Sequence, residues 1–96
     1  MTSGGISMKK IYKITAPEGL HARPAAILVT AVTPFECDVQ LTYKEKSVNL
    51  KSIMGVMAQG VAPGSIVENS ADGPDAEKLY QTVTEVFVTK GIGEEC

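Results

Sequence analysis

Hydrophobic and polar residues alternate along several stretches of the chain, and this period of two is typical of β-strands with one face in a core. The first stretch covers residues 8–14, the second residues 37–43 and the third residues 47–50. The second and third are separated by a short Lys-Glu-Lys segment, so they predict a β-hairpin.

A fourth stretch, residues 65–71, also predicts a strand, but its alternation does not decide which face points inward. One face would carry Val67, Asn69 and Ala71, and the other Ile66, Glu68 and Ser70. Either choice places a polar residue inside, and we expect that residue to find a hydrogen-bond partner.

Apolar residues recur every three to four positions in three other segments, which predicts helices. The first helix spans residues 22–32, with Pro24 tolerated in its first turn. A short helix over residues 53–57 follows Ser52, a plausible N-cap. Asp72-Gly73-Pro74 starts the third helix, which ends at Gly91. Its apolar stripe contains Ala76, Leu79, Tyr80, Val83, Val86 and Phe87.

The predicted order is β-α-β-β-α-β-α, which indicates a two-layer α+β fold with a four-stranded antiparallel sheet and three helices on one face. Residues 1–7 are small and polar, and we expect them to form a flexible N-terminal extension. Residues 8–96 are expected to form a single domain, since the chain has only 96 residues.

Composition narrows the function classes. The chain has nine basic and eleven acidic residues, so it lacks the excess of positive charge that is typical of nucleic-acid-binding proteins. The longest apolar run, residues 25–29, is too short to cross a bilayer, and the start lacks an apolar signal segment. We therefore expect a cytoplasmic protein. Cys37 and Cys96 resemble neither a disulfide framework nor a metal site, and Cys37 fits a small core residue.

The single histidine, His21, lies between a glycine-containing turn and the start of a helix. Imidazole is a nitrogen nucleophile that is largely neutral at cytoplasmic pH. The first N–H groups of a helix favour a bound phosphate, and Arg23 adds a charge whose geometry matches phosphate oxygens. Ala22 is small enough to let another protein approach. This chemistry calls for no metal or cofactor.

Each of these features also has an ordinary interpretation. A histidine at a helix start is often an exposed or capping residue without a chemical role, and Ser52 alone fits a simple N-cap. Ile53, Met54 and Met57 fit core residues. Three apolar side chains on such a short helix cannot all point inward, however, so we expect some of them to be exposed.

Two blocks of sequence carry a family resemblance. GLHARPAA at positions 19–26 resembles the active-site signature of the histidine-containing phosphocarrier (HPr) family of the phosphoenolpyruvate:sugar phosphotransferase system. NLKSIMGVM at positions 49–57 resembles the regulatory-serine segment of this family in low-GC Gram-positive bacteria. The resemblance covers residues 8–95, and the family's open-faced β-sandwich agrees with the predicted elements.

The resemblance implies a role for each residue of the first block. His21 would accept a phosphoryl group on Nδ1 from Enzyme I and pass it to sugar-specific IIA domains. Arg23, Pro24 and the backbone amide of Ala22 would shape the phosphate site. The protein would then be a phosphoryl-transfer intermediate rather than a true enzyme, with no cofactor.

The second block implies regulation and docking. Ser52 would be phosphorylated by HPr kinase/phosphorylase, which would slow transfer through His21 and signal to a catabolite control protein. Ile53, Met54 and Met57 would form the docking patch for the partners. We expect the protein to be a monomer.

Departures from the family pattern are confined to details. Lys44-Glu45 replaces a common Asn-Gly turn, and Asn69 stands where the family usually has an aliphatic residue. The catabolite-repression paralogue lacks the active-site histidine, so His21 argues against it. The alternatives are a nitrogen-regulatory phosphocarrier homologue, a carrier domain from a larger fusion, or a non-catalytic α+β interaction module in which the histidine is incidental.

Overall fold

The computed structural model describes residues 7–96 of the chain. Residues 1–6, the greater part of the predicted extension, lie outside this range. The first strand begins at Ser7, which the sequence had placed in that extension. The elements in order are β1 (Ser7–Ile14), α1 (Ala22–Val32), β2 (Asp38–Tyr43), β3 (Lys46–Asn49), α2 (Ile53–Ala58), β4 (Ile66–Asp72), α3 (Ala76–Thr89) and β5 (Gly93–Glu95).

The strands form one antiparallel sheet in the order β3-β2-β4-β1-β5. The predicted α+β class and the three helices on one face are confirmed, but the sheet has five strands rather than four. The additional strand, β5, pairs with β1 at Tyr12↔Glu95. Its sequence, Gly-Glu-Glu, is short and has no alternation that could have predicted a strand.

Strand β4 turns Val67, Asn69 and Ala71 toward the helices, while Ile66 is exposed on the other face. This settles the register that the sequence left open. Asn69 has no exposed surface, and neither polar atom of its side chain has a hydrogen-bond partner within residues 7–96. The expectation that the inward polar residue would find a partner was therefore wrong.

The core lies between the sheet and the helices. The buried residues of α1 are the predicted set of Ala25, Leu28, Val29 and Val32. Under α3, the rings of Tyr12 and Phe87 lie 4.4 Å apart between centroids. Cys37 is buried as predicted, and burial raises the pKa of its thiol to about 11, which keeps the thiol protonated.

In the part of the chain that the structure describes, no helix has the length and apolar character needed to cross a membrane.

Candidate functional site

His21 occupies the N-cap position of α1. Its backbone is extended (φ −77°, ψ −170°), and its carbonyl oxygen accepts the first bond of the helix from the Ala25 N–H at 2.9 Å. The imidazole makes no capping hydrogen bond and is exposed to solvent. A ring nitrogen can therefore meet an incoming group without first breaking a contact within the helix.

The amides beside His21 are arranged to receive an anion. The N–H groups of Ala22 and Arg23 precede the first intrahelical bond, and Pro24 in the first turn has no N–H. Groups in this position have no partner inside a helix, and the helix dipole adds positive potential there. Free N–H groups at a helix start favour a bound anion.

Arg23 supplies a positive charge that takes part in no ion pair within residues 7–96. Between residues 7 and 96 the ion pairs are Lys9–Glu68 at 3.7 Å and Lys10–Glu95 at 2.8 Å. The Arg23 side chain is exposed, so its guanidinium can turn toward phosphate oxygens. Across the same described range, no group of three or more His, Cys, Asp or Glu side chains is placed to bind a metal ion.

The loop before His21 is fixed by backbone hydrogen bonds. The Gly19 N–H donates to the Ala16 carbonyl at 3.0 Å and closes a tight turn. The Leu20 N–H donates to the Val61 carbonyl at 3.1 Å, and the Leu20 side chain is buried. These contacts set the position of His21 relative to the loop that follows α2.

Two clefts meet at His21. One, of about 440 Å³, is lined by Glu18, His21, Ala22 and Arg23. The other, of about 340 Å³, places His21 in the same cleft as Met57 of α2, and Glu18 lines it too. The structure thus brings His21, Ala22 and Arg23 together in the first cleft. Glu18 was missed, and the only signal for it was its position three residues before His21.

Ser52, at the start of α2, and Ile53, Met54 and Met57, within it, lie on a surface next to the clefts at His21. The Ser52 hydroxyl accepts a hydrogen bond from the Gly55 N–H at 3.1 Å, so its predicted N-cap position is confirmed. Exposed fractions are 40% for Ile53, 82% for Met54 and 42% for Met57, which confirms the expected exposure. Of these four, only Met57 lines a cleft that contains His21.

Comparison with known proteins places the chain in a family. The family model described as "PTS HPr component phosphorylation site" matches residues 8–89. The chain belongs to the PTS-HPr family. The matched range includes His21 and Ser52, together with every helix and strand from α1 to α3.

Solved structures of HPr proteins agree with this membership. A histidine-containing phosphocarrier protein from Mycoplasma is 35% identical, with a TM-score of 0.86, and the match covers 88% of this chain and 97% of that one. HPr from Bacillus anthracis is 34% identical, with a TM-score of 0.76 and coverage of 80% and 92%.

Crh, the catabolite-repression protein of Bacillus subtilis, is a further relative. It is 32% identical, with a TM-score of 0.66, and the match covers 96% of this HPr-family chain and 95% of Crh. That structure is described as a dimer with a swapped domain. Members of this family therefore include both carriers and a dimeric protein of catabolite repression.

Proposed function

We propose that this HPr-family protein is a phosphocarrier of the sugar phosphotransferase system, which receives a phosphoryl group from Enzyme I on His21 and donates it to sugar-specific IIA domains. The observation that carries the proposal is that the His21 imidazole, at the start of α1, is exposed and makes no capping hydrogen bond to the helix. In the first transfer a nitrogen of His21 supplies the electron pair of the new bond to phosphorus, and the donor atom of Enzyme I keeps the pair of the bond that breaks. In the second transfer an acceptor atom of the IIA domain supplies the pair of the new bond, and the His21 nitrogen keeps the pair of the bond that breaks. The protein is then an intermediate of the pathway rather than an enzyme.

The surroundings of His21 support both directions of transfer. The N–H groups of Ala22 and Arg23 and the Arg23 guanidinium favour the negative charge of the phosphoryl group. Ala22 has a small, exposed side chain, so a partner's active site can reach the phosphorus atom closely. Pro24 contributes the fixed backbone of the first helical turn.

We also propose that Ser52 is the site of regulatory phosphorylation by HPr kinase/phosphorylase, and that the phosphorylated form signals to a catabolite control protein. Support comes from the position of Ser52. This half-buried residue caps the start of α2 and precedes the exposed Ile53 and Met54. Phosphate there would add roughly −1.5 to −2 charge next to an apolar surface.

The docking patch of the proposal consists of Ile53, Met54 and Met57. Its support is the exposure of these side chains together with the cleft that Met57 shares with His21, which lets one partner cover both. We propose that the protein works as a monomer in the cytoplasm. Strand β1 pairs with β4 and β5 of its own chain, an arrangement that needs no second copy.

Incubation with Enzyme I and phosphoenolpyruvate, followed by intact mass measurement, tests the proposal. The wild type should gain one phosphoryl group that is acid-labile and base-stable, as a phosphoramidate is and a phosphoserine is not. The His21→Ala variant should gain none, and the control Ser52→Ala should gain as much as the wild type. Acid-labile phosphate on His21→Ala would refute the assignment.

The same assay separates the alternatives. A nitrogen-regulatory carrier would accept phosphate from the nitrogen-type Enzyme I in preference to the sugar-type enzyme, and an interaction module would gain phosphate from neither. The Ser52 block favours the sugar system, because its resemblance is to the regulatory segment of sugar carriers.

A further inference from the structure

Glu18 is the acidic residue of the candidate transfer site. It lines both clefts that contain His21, one together with Arg23 and the other together with Met57. No other acidic residue lines either cleft within the described part of the chain. Apart from His21 itself, Glu18 and Arg23 are therefore the charged side chains that line these two clefts.

The position of Glu18 is fixed by the same turn that positions His21. Residues 17 and 18 are the central residues of the turn that the Gly19 N–H closes on the Ala16 carbonyl. The Leu20 N–H then joins the turn to the Val61 carbonyl, against which Gly19 lies closely. The Glu18 side chain is exposed, but its backbone cannot move away from His21 without breaking these contacts.

We propose that Glu18 raises the phosphoryl-transfer potential of phosphohistidine at His21; this rests on the proposed carrier function. A phosphoryl group adds charge close to −2, and a neighbouring carboxylate repels it. Arg23 and the helix amides stabilise the same group. The balance between these charges sets how readily the carrier releases its phosphoryl group to an acceptor.

The quantity that Glu18 controls is an equilibrium. In the exchange with Enzyme I, the bond from phosphorus to the Enzyme I donor atom breaks, Enzyme I keeps that electron pair, and a nitrogen of His21 supplies the pair for the new bond. Removing the Glu18 charge lowers the free energy of the phosphorylated carrier. The ratio of phosphorylated to unphosphorylated carrier should then rise roughly two- to fivefold at low salt.

The experiment equilibrates each variant with Enzyme I at a fixed ratio of phosphoenolpyruvate to pyruvate and measures the phosphorylated fraction by intact mass. Glu18→Gln removes the charge with little change of shape. Glu36→Gln is the matched control, because Glu36 is an exposed glutamate beyond the far end of α1, a helix of 11 residues. That length separates it from His21 by roughly 16 Å. The ratio should rise for Glu18→Gln and stay at the wild-type value for Glu36→Gln.

Two further measurements distinguish charge from shape. Glu18→Asp keeps a carboxylate and should give a ratio closer to wild type, and the effect of Glu18→Gln should shrink as salt is raised. An unchanged ratio in Glu18→Gln, an equal rise in Glu36→Gln, an equal rise in Glu18→Asp, or a difference that persists at high salt would each overturn the proposal. A wild type that gains no phosphate from Enzyme I would instead refute the carrier function itself.

Discussion

The carbonyl oxygen of Val61 accepts a hydrogen bond from the Leu20 N–H, and it also lies against the α-carbon of Gly19. A Cβ built on Gly19 would be 2.2 Å from this oxygen, and Gly19 has a φ of +70°. Only glycine permits both the close approach and the left-handed backbone. The loop that carries His21 is thus locked to the loop that follows α2.

Gly19→Ala should unfold more easily than wild type, by roughly 1–3 kcal/mol, because the new methyl group must push the two loops apart. Gly91→Ala is the control, since Gly91 has a similar φ of +66° but open space around its Cβ position. It should lose less stability than Gly19→Ala, because it adds only the cost of a left-handed backbone at alanine, roughly 1–2 kcal/mol. Urea titrations of both variants measure this difference. Equal losses of unfolding free energy would mean that the Val61 loop can shift to accommodate the new methyl group at little cost.

Met54→Asp should weaken binding of Enzyme I and IIA domains more than it weakens folding. Met54 is 82% exposed, so its core contribution is small, whereas apolar anchors carry much of the energy of an interface. Ile66→Asp is the matched control, because Ile66 is an exposed aliphatic residue on the sheet face away from the helices. Calorimetric titration should show weaker binding for Met54→Asp alone, and equal affinity in both variants would remove Met54 from the docking patch.

Ser52→Asp should fold normally and accept phosphate from Enzyme I more slowly. Aspartate can still cap α2, and its charge suits a helix start, but it borders apolar side chains that docking must desolvate. The defect should be a raised apparent KM with an unchanged maximal rate. Ser70→Asp, which adds the same charge on the sheet face opposite the helices, should transfer like wild type. A loss of maximal rate alone would contradict the docking explanation.

Lys44 and Glu45 form the two-residue turn between β2 and β3, and both have left-handed backbones, with φ of 51° and 68°. Such a turn favours Asn-Gly, and each ordinary residue held there costs roughly 1–2 kcal/mol. Replacing the pair by Asn-Gly should therefore raise the free energy of unfolding by about 1–2 kcal/mol. Thermal and urea unfolding measure the gain; no gain would show that the Lys44 and Glu45 side chains offset the backbone strain.

Asn69→Val should also stabilise the fold. The buried amide of Asn69 has given up its bonds to water without a partner among residues 7–96, at a cost of roughly 1–3 kcal/mol. Valine fills a similar volume and favours strands. Ser70→Val, at the neighbouring half-buried position on the opposite face of the sheet, is the control for strand propensity. If Asn69→Val proves less stable than wild type, a water molecule must satisfy the amide.

Most helices and strands were predictable because the local pattern of apolar and polar residues was enough to assign each of them. The apolar positions of α1 fall on one helical face, so Ala25, Leu28, Val29 and Val32 could be assigned to the core without any tertiary information. The register of β4 could not, because each face mixes polar and apolar residues. The pairing Leu41↔Asn69 decides it, since Leu41 faces the helices and brings Asn69 to the same side.

The candidate site also contains residues that local sequence could predict and one residue that it could not. His21, Arg23 and Ser52 are marked by local sequence, because helix starts have their own residue preferences. Glu18 is not marked, since its place in both clefts depends on the contact between Leu20 and Val61, two residues far apart in the chain. Long-range backbone contacts of this kind leave no periodic signal.

The position of β1 in the sheet has a consequence for synthesis on the ribosome. Its two neighbours, β4 and β5, come from roughly sixty and eighty residues further along the chain, so β1 is made first and paired last. Before β4 and β5 have been synthesised, the α1 helix and the β2–β3 hairpin can form from local contacts. The loop that carries His21 connects β1 to α1 and is held by Val61, so its final position depends on chain that is made some forty residues after His21.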